Sequence, residues 1–272
     1  MSAQEKIIKE APLSSFRRFL IVLGIVFILG ISFWLIWIDQ HRTVPILMYH
    51  HVDDMGKHDV STVTPEQFEG SLQYLAKNHF EVLTLDDVVE ANKNNKRLSR
   101  KSVVITFDDG AENNFTNAFP LLKKYGYKAI MFVISDRVGL PGYMTWDQIA
   151  EMQEYGIVIG SHTRRHKYLP ELNHDELTDE IFNSRKIFQE HLKTPVNHFS
   201  YPIGGFNNSI KEMVRNAGYL SAVATNRGYE RYNNDLFELK RVTVDEKDNF
   251  GAIRWAKFSG YYNLFRKPKK PE

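Results

Sequence analysis

Residues 102–110 read SVVITFDDG: an apolar run, then two adjacent carboxylates and a glycine. A short apolar stretch with little polar alternation suits a strand buried on both faces of a parallel sheet. Asp-Gly is a turn dipeptide, so the strand should stop there. The same pattern recurs along the chain. Further apolar runs fall at 45–49, 81–85, 129–134, 157–160, 198–201, 219–224 and 239–244, with helix-length amphipathic segments between them. Thr64-Pro65-Glu66-Gln67 offers an N-cap, a proline in the first turn and a glutamine that closes a capping box, and Thr145-Trp146-Asp147-Gln148 repeats the box. The longest helical segment spans about 174–191, and 92–100 reads as a polar loop. An alternation this long predicts either a (β/α) barrel or a doubly wound sheet. In both, functional groups gather at the carboxyl ends of strands, where Asp108 and Asp109 stand.

The chain has 272 residues, 25% charged and 43% hydrophobic, which is ordinary globular composition. A net charge of +2 gives no electrostatic case for nucleic acid. The absence of cysteine excludes disulfides, thiolate metal ligands and a thiol nucleophile. Residues 19–38, FLIVLGIVFILGISFWLIWI, carry no charge and are long enough to cross a hydrocarbon layer of about 30 Å. A cleavable signal peptide has a shorter apolar region and a small-residue cleavage site. Here the run ends in Trp37-Ile38-Asp39-Gln40 with no such site, so we read an uncleaved anchor. Lys6, Lys9, Arg17 and Arg18 precede the run and Arg42 follows it, which places the N-terminus in the cytoplasm and the rest outside. The expected organisation is a cytoplasmic 1–18, a single-pass membrane span 19–38, a linker 39–44, a catalytic domain 45–250 and a basic, aromatic tail 251–272. We read that tail as solvated, with contact to anionic lipid or polymer as the alternative.

A second informative stretch is GSHTRRH, 160–166, after an apolar strand. His162 and His166 are four apart, so on a helical turn they would share a face and could grip one metal ion. One aspartate and two histidines make three protein ligands and leave a position open, the arrangement of a catalytic zinc-type site. The other aspartate is then free to act as general base toward water. Neighbouring side chains diverge at a strand end, so one can turn to the metal and the other to the water.

TFDDG (106–110), SHTRRH (161–166) and FSYPIG (199–204) resemble, in order, the first three motifs of the NodB-type polysaccharide deacetylases, carbohydrate esterase family four. The resemblance covers about 45–244. It implies a distorted (β/α) barrel of seven or eight strands, with Asp108 as general base and Asp109, His162 and His166 as ligands of a divalent metal, most often Zn2+. It implies removal of acetyl groups from N-acetylglucosamine residues in a polymer. It further implies that the backbone N–H of Ile203 helps stabilise the oxyanion, and that Tyr201 lies in the substrate cleft. Trp146 reads as a first-turn residue packed on the barrel, with sugar stacking as the alternative.

Two departures stand out. The family's third motif often begins with an arginine that orients the base, and Ser200 occupies that position here. Family members commonly carry a late Leu-x-His whose histidine is the general acid, whereas 239–245 reads LKRVTVD and no histidine follows His198. Arg241 brings a positive charge whose direction the sequence leaves open. The stretch PILMYHHVDD, 45–54, resembles the poly-β-1,6-N-acetylglucosamine deacetylase subgroup and makes His50 the candidate acid. His58, His79, His174, His191 and His198 have no partner spacing and read as surface or locally hydrogen-bonded groups. The expected substrate is an N-acetylglucosamine exopolysaccharide. Peptidoglycan is the alternative, and an inactive glycan-binding barrel a further one. A synthase or exporter is a candidate partner.

Overall fold

The computed structural model describes residues 14–54, 62–225, 227–229, 232–245, 251–266 and 269–270. Lys6, Lys9 and His58 lie outside them. The chain divides into two compact units, Met1–Arg42 and Thr43–Glu272.

In the first unit, helix α1 (Ser15–Gln40) starts at Ser14, whose hydroxyl accepts the Arg17 amide at 3.4 Å. None of its residues is buried. It is the one helix among the described residues long and apolar enough to span a membrane, and a signal sequence would pass the same test.

The second unit is a nearly closed parallel barrel. Its strands are β1 (Ile46–Tyr49), β4 (Glu81–Leu83), β5 (Ser102–Phe107), β6 (Ile130–Val133), β7 (Val158–Ser161), β8 (His198–Ser200), β9 (Ser221–Ala224), β10 (Leu239–Lys240) and β11 (Val242–Thr243). The order is β10-β9-β8-β7-β6-β5-β1-β11, with β4 added beside β5. β10 pairs with β9 while β11, one residue on, pairs with β1. The stretch 239–243 therefore bridges both edges of the sheet, and Arg241 sits at the closure point. A small two-stranded sheet, β2 (His51–Val52) with β3 (Thr62–Val63), follows the first strand.

The helices pack outside, and their starts follow from local chemistry. Thr64 caps α2 (Pro65–Lys77), Thr84 caps α3 (Leu85–Lys93) and Thr145 caps α5 (Trp146–Tyr155), each by a reciprocal capping box. Segment 174–191 is one continuous helical rod: α6 (His174–Thr178), a π-helical stretch Asp179–Asn183, and α7 (Ser184–His191). α4 (Phe119–Tyr125), also preceded by a π-helical stretch, and α8 (Asn208–Asn216) complete the ring.

Period-two alternation divides each strand between two apolar layers. Val103, Ile105 and Phe107 of β5 face the helices in the larger cluster. Val104 faces the barrel axis with Ile46, Ile130, Phe132, Val223 and Leu239. Leu85 of α3 joins this inner cluster, so α3 covers the N-terminal ends of the strands. Gly160 is required by this packing: a Cβ there would lie 2.4 Å from the Phe132 ring.

The C-terminal segment corrects the solvated-tail reading. α9 (Gly251–Phe258) is docked through a fully buried Phe258, edge-on to Tyr74 of α2 at 5.6 Å. Arg254 Nη1 also donates to the Gly70 carbonyl at 3.0 Å. An aromatic ring that finds an apolar seat contributes more than a solvated one.

Candidate active site

The inward alternation decides which side chains meet. On β5 the inward positions are 104, 106 and then 108; on β1 they are 46, 48 and then 50. Tyr49 pairs with Phe107, and the Asp108 amide donates to the Tyr49 carbonyl at 3.0 Å. His50 and Asp108 are thus neighbours one step past the end of their strands. By the same parity β7 delivers His162, β8 delivers Ser200 and the closing stretch delivers Arg241.

Asp108 is 3% exposed and clamped by Arg241, itself 1% exposed. Nη1 reaches Oδ1 at 2.6 Å and Nη2 reaches Oδ2 at 2.6 Å, a bidentate fork. Ser200 Oγ adds a hydrogen bond to Oδ2 at 3.3 Å and accepts one from Arg241 Nη2 at 3.0 Å. The fork is fixed from behind, where Nε donates to the Ala224 carbonyl at 3.2 Å. Burial by itself would raise the Asp108 carboxyl. Arg241, with His162 and His50, outweighs burial and holds the carboxyl well below the usual carboxylate range.

Asp109 points elsewhere because its φ is +72°, in the left-handed region that aspartate tolerates better than most residues. Its Oδ1 lies 3.6 Å from His162 Nε2 and 3.6 Å from His166 Nε2. One ligand atom from each of the three residues lies within 4.8 Å of the others. The histidines do not share a helical face, as the four-residue spacing suggested. They meet across a bent loop in which Thr163 (φ +64°) and His166 (φ +63°) both take the left-handed conformation, with the rings 4.7 Å apart.

The donor set fits a metal ion. His162 Nδ1 lies 2.9 Å from the Ser200 carbonyl, which can only accept, so Nδ1 is the donor and Nε2 is the nitrogen turned to the centre, the one that would bind a metal through its lone pair. Burial, and then the neighbouring His162, push the His166 imidazole down to about 4, so that ring is neutral at pH 7. Two imidazoles and a carboxylate converging on one point are a zinc-type ligand set.

His50 borders this centre. Its Nδ1 is buried without a hydrogen-bond partner. Burial pushes the imidazole down, against the upward pull of Asp108 and Asp109.

A family model described as polysaccharide deacetylase matches residues 95–222. The Bacillus subtilis protein YxkH, named for the same family, is 33% identical over 210 residues, 76% of this chain and 74% of that protein. The chain belongs to the polysaccharide deacetylase family. It is a hydrolase of amide bonds. The poly-β-1,6-N-acetyl-D-glucosamine N-deacetylase of Staphylococcus aureus (strain MRSA252) is 26% identical over 213 residues, 72% of this deacetylase and 73% of that enzyme. The solved structure of the Streptococcus pyogenes deacetylase PplD with acetate superposes with a TM-score of 0.70 at 29% identity, over 76% of this chain and 95% of that one.

Around the deacetylase centre, the outer residues differ in what they offer. Ile203 follows β8 with φ +58° and is 57% exposed, an uncommon conformation for a β-branched residue. Tyr201 corrects the cleft assignment: its ring is 1% exposed, it stacks on Phe206 at 4.6 Å, and its hydroxyl donates to the Phe237 carbonyl at 3.0 Å. The side chain is spent on the core. Trp146 is half-buried, stacked on His191 at 4.2 Å and edge-on to Phe188 at 5.9 Å. One face of the indole is therefore covered by protein, as the packing reading expects. His198 is neither at the surface nor bonded locally: it is fully buried, with Nδ1 2.9 Å from Ser221 Oγ on the next strand and Nε2 3.2 Å from Asp86 Oδ1 on α3.

The main omission from the sequence reading is Arg241. Its charge was legible, but its direction is set by the closure of the barrel, which brings it to Asp108, 133 residues away in sequence.

Proposed function

We propose that this deacetylase is a metal-dependent N-deacetylase of N-acetylglucosamine residues in a cell-surface polysaccharide, with poly-N-acetylglucosamine exopolysaccharide as the favoured substrate. The observation that carries this reading is the convergence of Asp109, His162 and His166 beside an Arg-clamped Asp108. Asp109 Oδ1 and the two Nε2 atoms would hold the ion, with Zn2+ the natural occupant of such an oxygen–nitrogen set. A divalent cation so held supplies Lewis acidity toward the amide carbonyl and makes water a competent nucleophile near neutral pH.

The chain's own groups divide the remaining work. Asp108, ionised and fixed by Arg241, accepts a proton from the attacking water. The water oxygen bonds to the acetyl carbon, and the Ile203 N–H donates to the oxyanion that develops. His50 gives a proton to the departing nitrogen as the C–N bond breaks. The products are acetate and a free amine on the sugar. Burial pushes the His50 imidazole down, while Asp108 and Asp109 pull it up and so favour the protonated form that a general acid needs. The lean toward exopolysaccharide rests on the YHH stretch at the end of β1, on the missing late histidine and on likeness to the Staphylococcus aureus enzyme.

We further read α1 as a single-pass anchor with the catalytic unit extracytoplasmic, supported by Arg17 and Arg18 before the apolar run. A synthase or exporter acting on the same polymer is the partner this placement suits.

The test is acetate release by the full chain in detergent from β-1,6-linked and β-1,4-linked N-acetylglucosamine oligomers and from peptidoglycan, before and after chelation. Chelator-sensitive release from the β-1,6 oligomers alone is the expected result. Release only from peptidoglycan would move the substrate. No release from a metal-loaded chain would leave a glycan-binding barrel.

A further inference from the structure

The loop 162–166 is neither helix nor strand, yet all four of its amides from 163 to 166 are hydrogen-bonded to side chains. The Thr163 N–H donates to Ser161 Oγ at 3.2 Å, and the His166 N–H donates to Thr163 Oγ1 at 3.0 Å. The other two amides between the histidines, those of Arg164 and Arg165, go to one carboxylate. Glu180 Oε2 accepts the Arg164 N–H at 3.1 Å and the Arg165 N–H at 2.8 Å, and Oε1 accepts Arg165 Nε at 3.0 Å. Glu180 is 0% exposed and lies in the π-helical stretch Asp179–Asn183. Its neighbour Asp179 pairs with Arg164 Nη1 at 2.6 Å and with Arg165.

A buried carboxylate is costly unless paired and fully hydrogen-bonded. Here the protein buries one whose partners are Arg164 and Arg165, two of the three residues separating the candidate ligands. Left-handed Thr163 and His166 need surrounding structure to hold them. Glu180 supplies it, binding the centre of the loop so that both imidazoles face Asp109.

We propose that Glu180 is a positioning residue for the metal histidines, setting metal affinity by fixing the backbone between His162 and His166. This rests on the assignment of those histidines as ligands.

Glu180→Gln tests it. A carboxylate uses both oxygens as acceptors here, whereas glutamine has one acceptor oxygen and an NH2 that must face either the loop amides or Arg165 Nε, donor against donor. The full chain in detergent is stripped of metal and titrated with Co2+, following the d–d absorption, with Zn2+ affinity obtained by competition. Loss of an outer partner typically lowers metal affinity about 10–100-fold, and that drop with an altered Co2+ spectrum is the expected result. Glu180→Asp, one methylene shorter, should show a smaller drop and serves if the glutamine variant does not fold. Ile181→Ala, a fully buried neighbour on the same stretch, should lower the melting temperature while leaving Co2+ affinity and spectrum unchanged. Wild-type affinity and spectrum in Glu180→Gln or Glu180→Asp would overturn the proposal. So would an equal affinity loss in Ile181→Ala, since it would make the effect general loosening. A wild-type chain that binds no Co2+ would instead overturn the ligand assignment itself, and Glu180's role with it.

Discussion

Arg241→Met removes the fork from Asp108 while keeping much of the side-chain volume. The carboxylate stays 3% exposed and loses both 2.6 Å hydrogen bonds, retaining only Ser200. Breaking a buried ion pair on one side costs about 3–5 kcal/mol. For a domain of this size, about 2–4 °C of melting temperature goes with each kcal/mol, so the transition should fall by roughly 6–20 °C. A second effect concerns protons. In the native chain Arg241 outweighs the burial that would otherwise raise the carboxyl. Without it, burial pushes the Asp108 carboxyl up. A base works only when ionised, so the acid limb of kcat/KM should move to higher pH. Arg241→Lys keeps the charge but loses the fork and should fall between. Asp108→Asn with Arg241→Met should melt higher than Arg241→Met alone, because no unpaired charge remains. Differential scanning fluorimetry and acetate release against pH read both effects. A melting temperature within 2 °C of wild type, with an unmoved acid limb, would refute the clamp argument.

Asp109→Ala should lose both bound metal and turnover, whereas His50→Ala should keep its metal and lose about 10²–10⁴ in rate; metal analysis beside acetate release separates them, and near-normal rates for His50→Ala would remove it as the acid. The metal-free protein should weaken on acidification. The unfolded chain protonates His166 below about 6.5 and the folded chain only at about 4, so stability is full above that window and declines as pH falls through it. The loss from this ring is about 2–3 kcal/mol, discounted because it is partly exposed; a urea midpoint unchanged between pH 7 and pH 4.5 would contradict the neutral-imidazole reading. Phe258→Ala should cost about 3–5 kcal/mol, as for a fully buried ring, and a denaturation midpoint within error of wild type would return α9 to solvent.

The local elements were legible because their causes are local. Eight apolar runs became strands with ends shifted by a residue or two, and the Thr64 and Thr145 boxes cap helices where their spacing placed them. The run 239–244 is the instructive exception: it is broken at Arg241 because it closes the barrel, pairing with β9 on one side and β1 on the other. Asp109, His162 and His166 could be gathered from motif and strand-end position, since parallel strands deliver their carboxyl ends to one face.

Tertiary structure alone decided how those residues are held. The partner of Asp108 is 133 residues away in sequence, and no local pattern sets a guanidinium's direction. Tyr201 was expected in the substrate cleft, but outward parity sends its ring into the helix-facing core. The histidines' spacing suggested a helix, whereas left-handed backbone and a buried Glu180 on a distant rod bring them together. Sequence determines what each segment prefers by itself; which buried charge meets which depends on strand register and barrel closure, and these exist only when the sheet is complete.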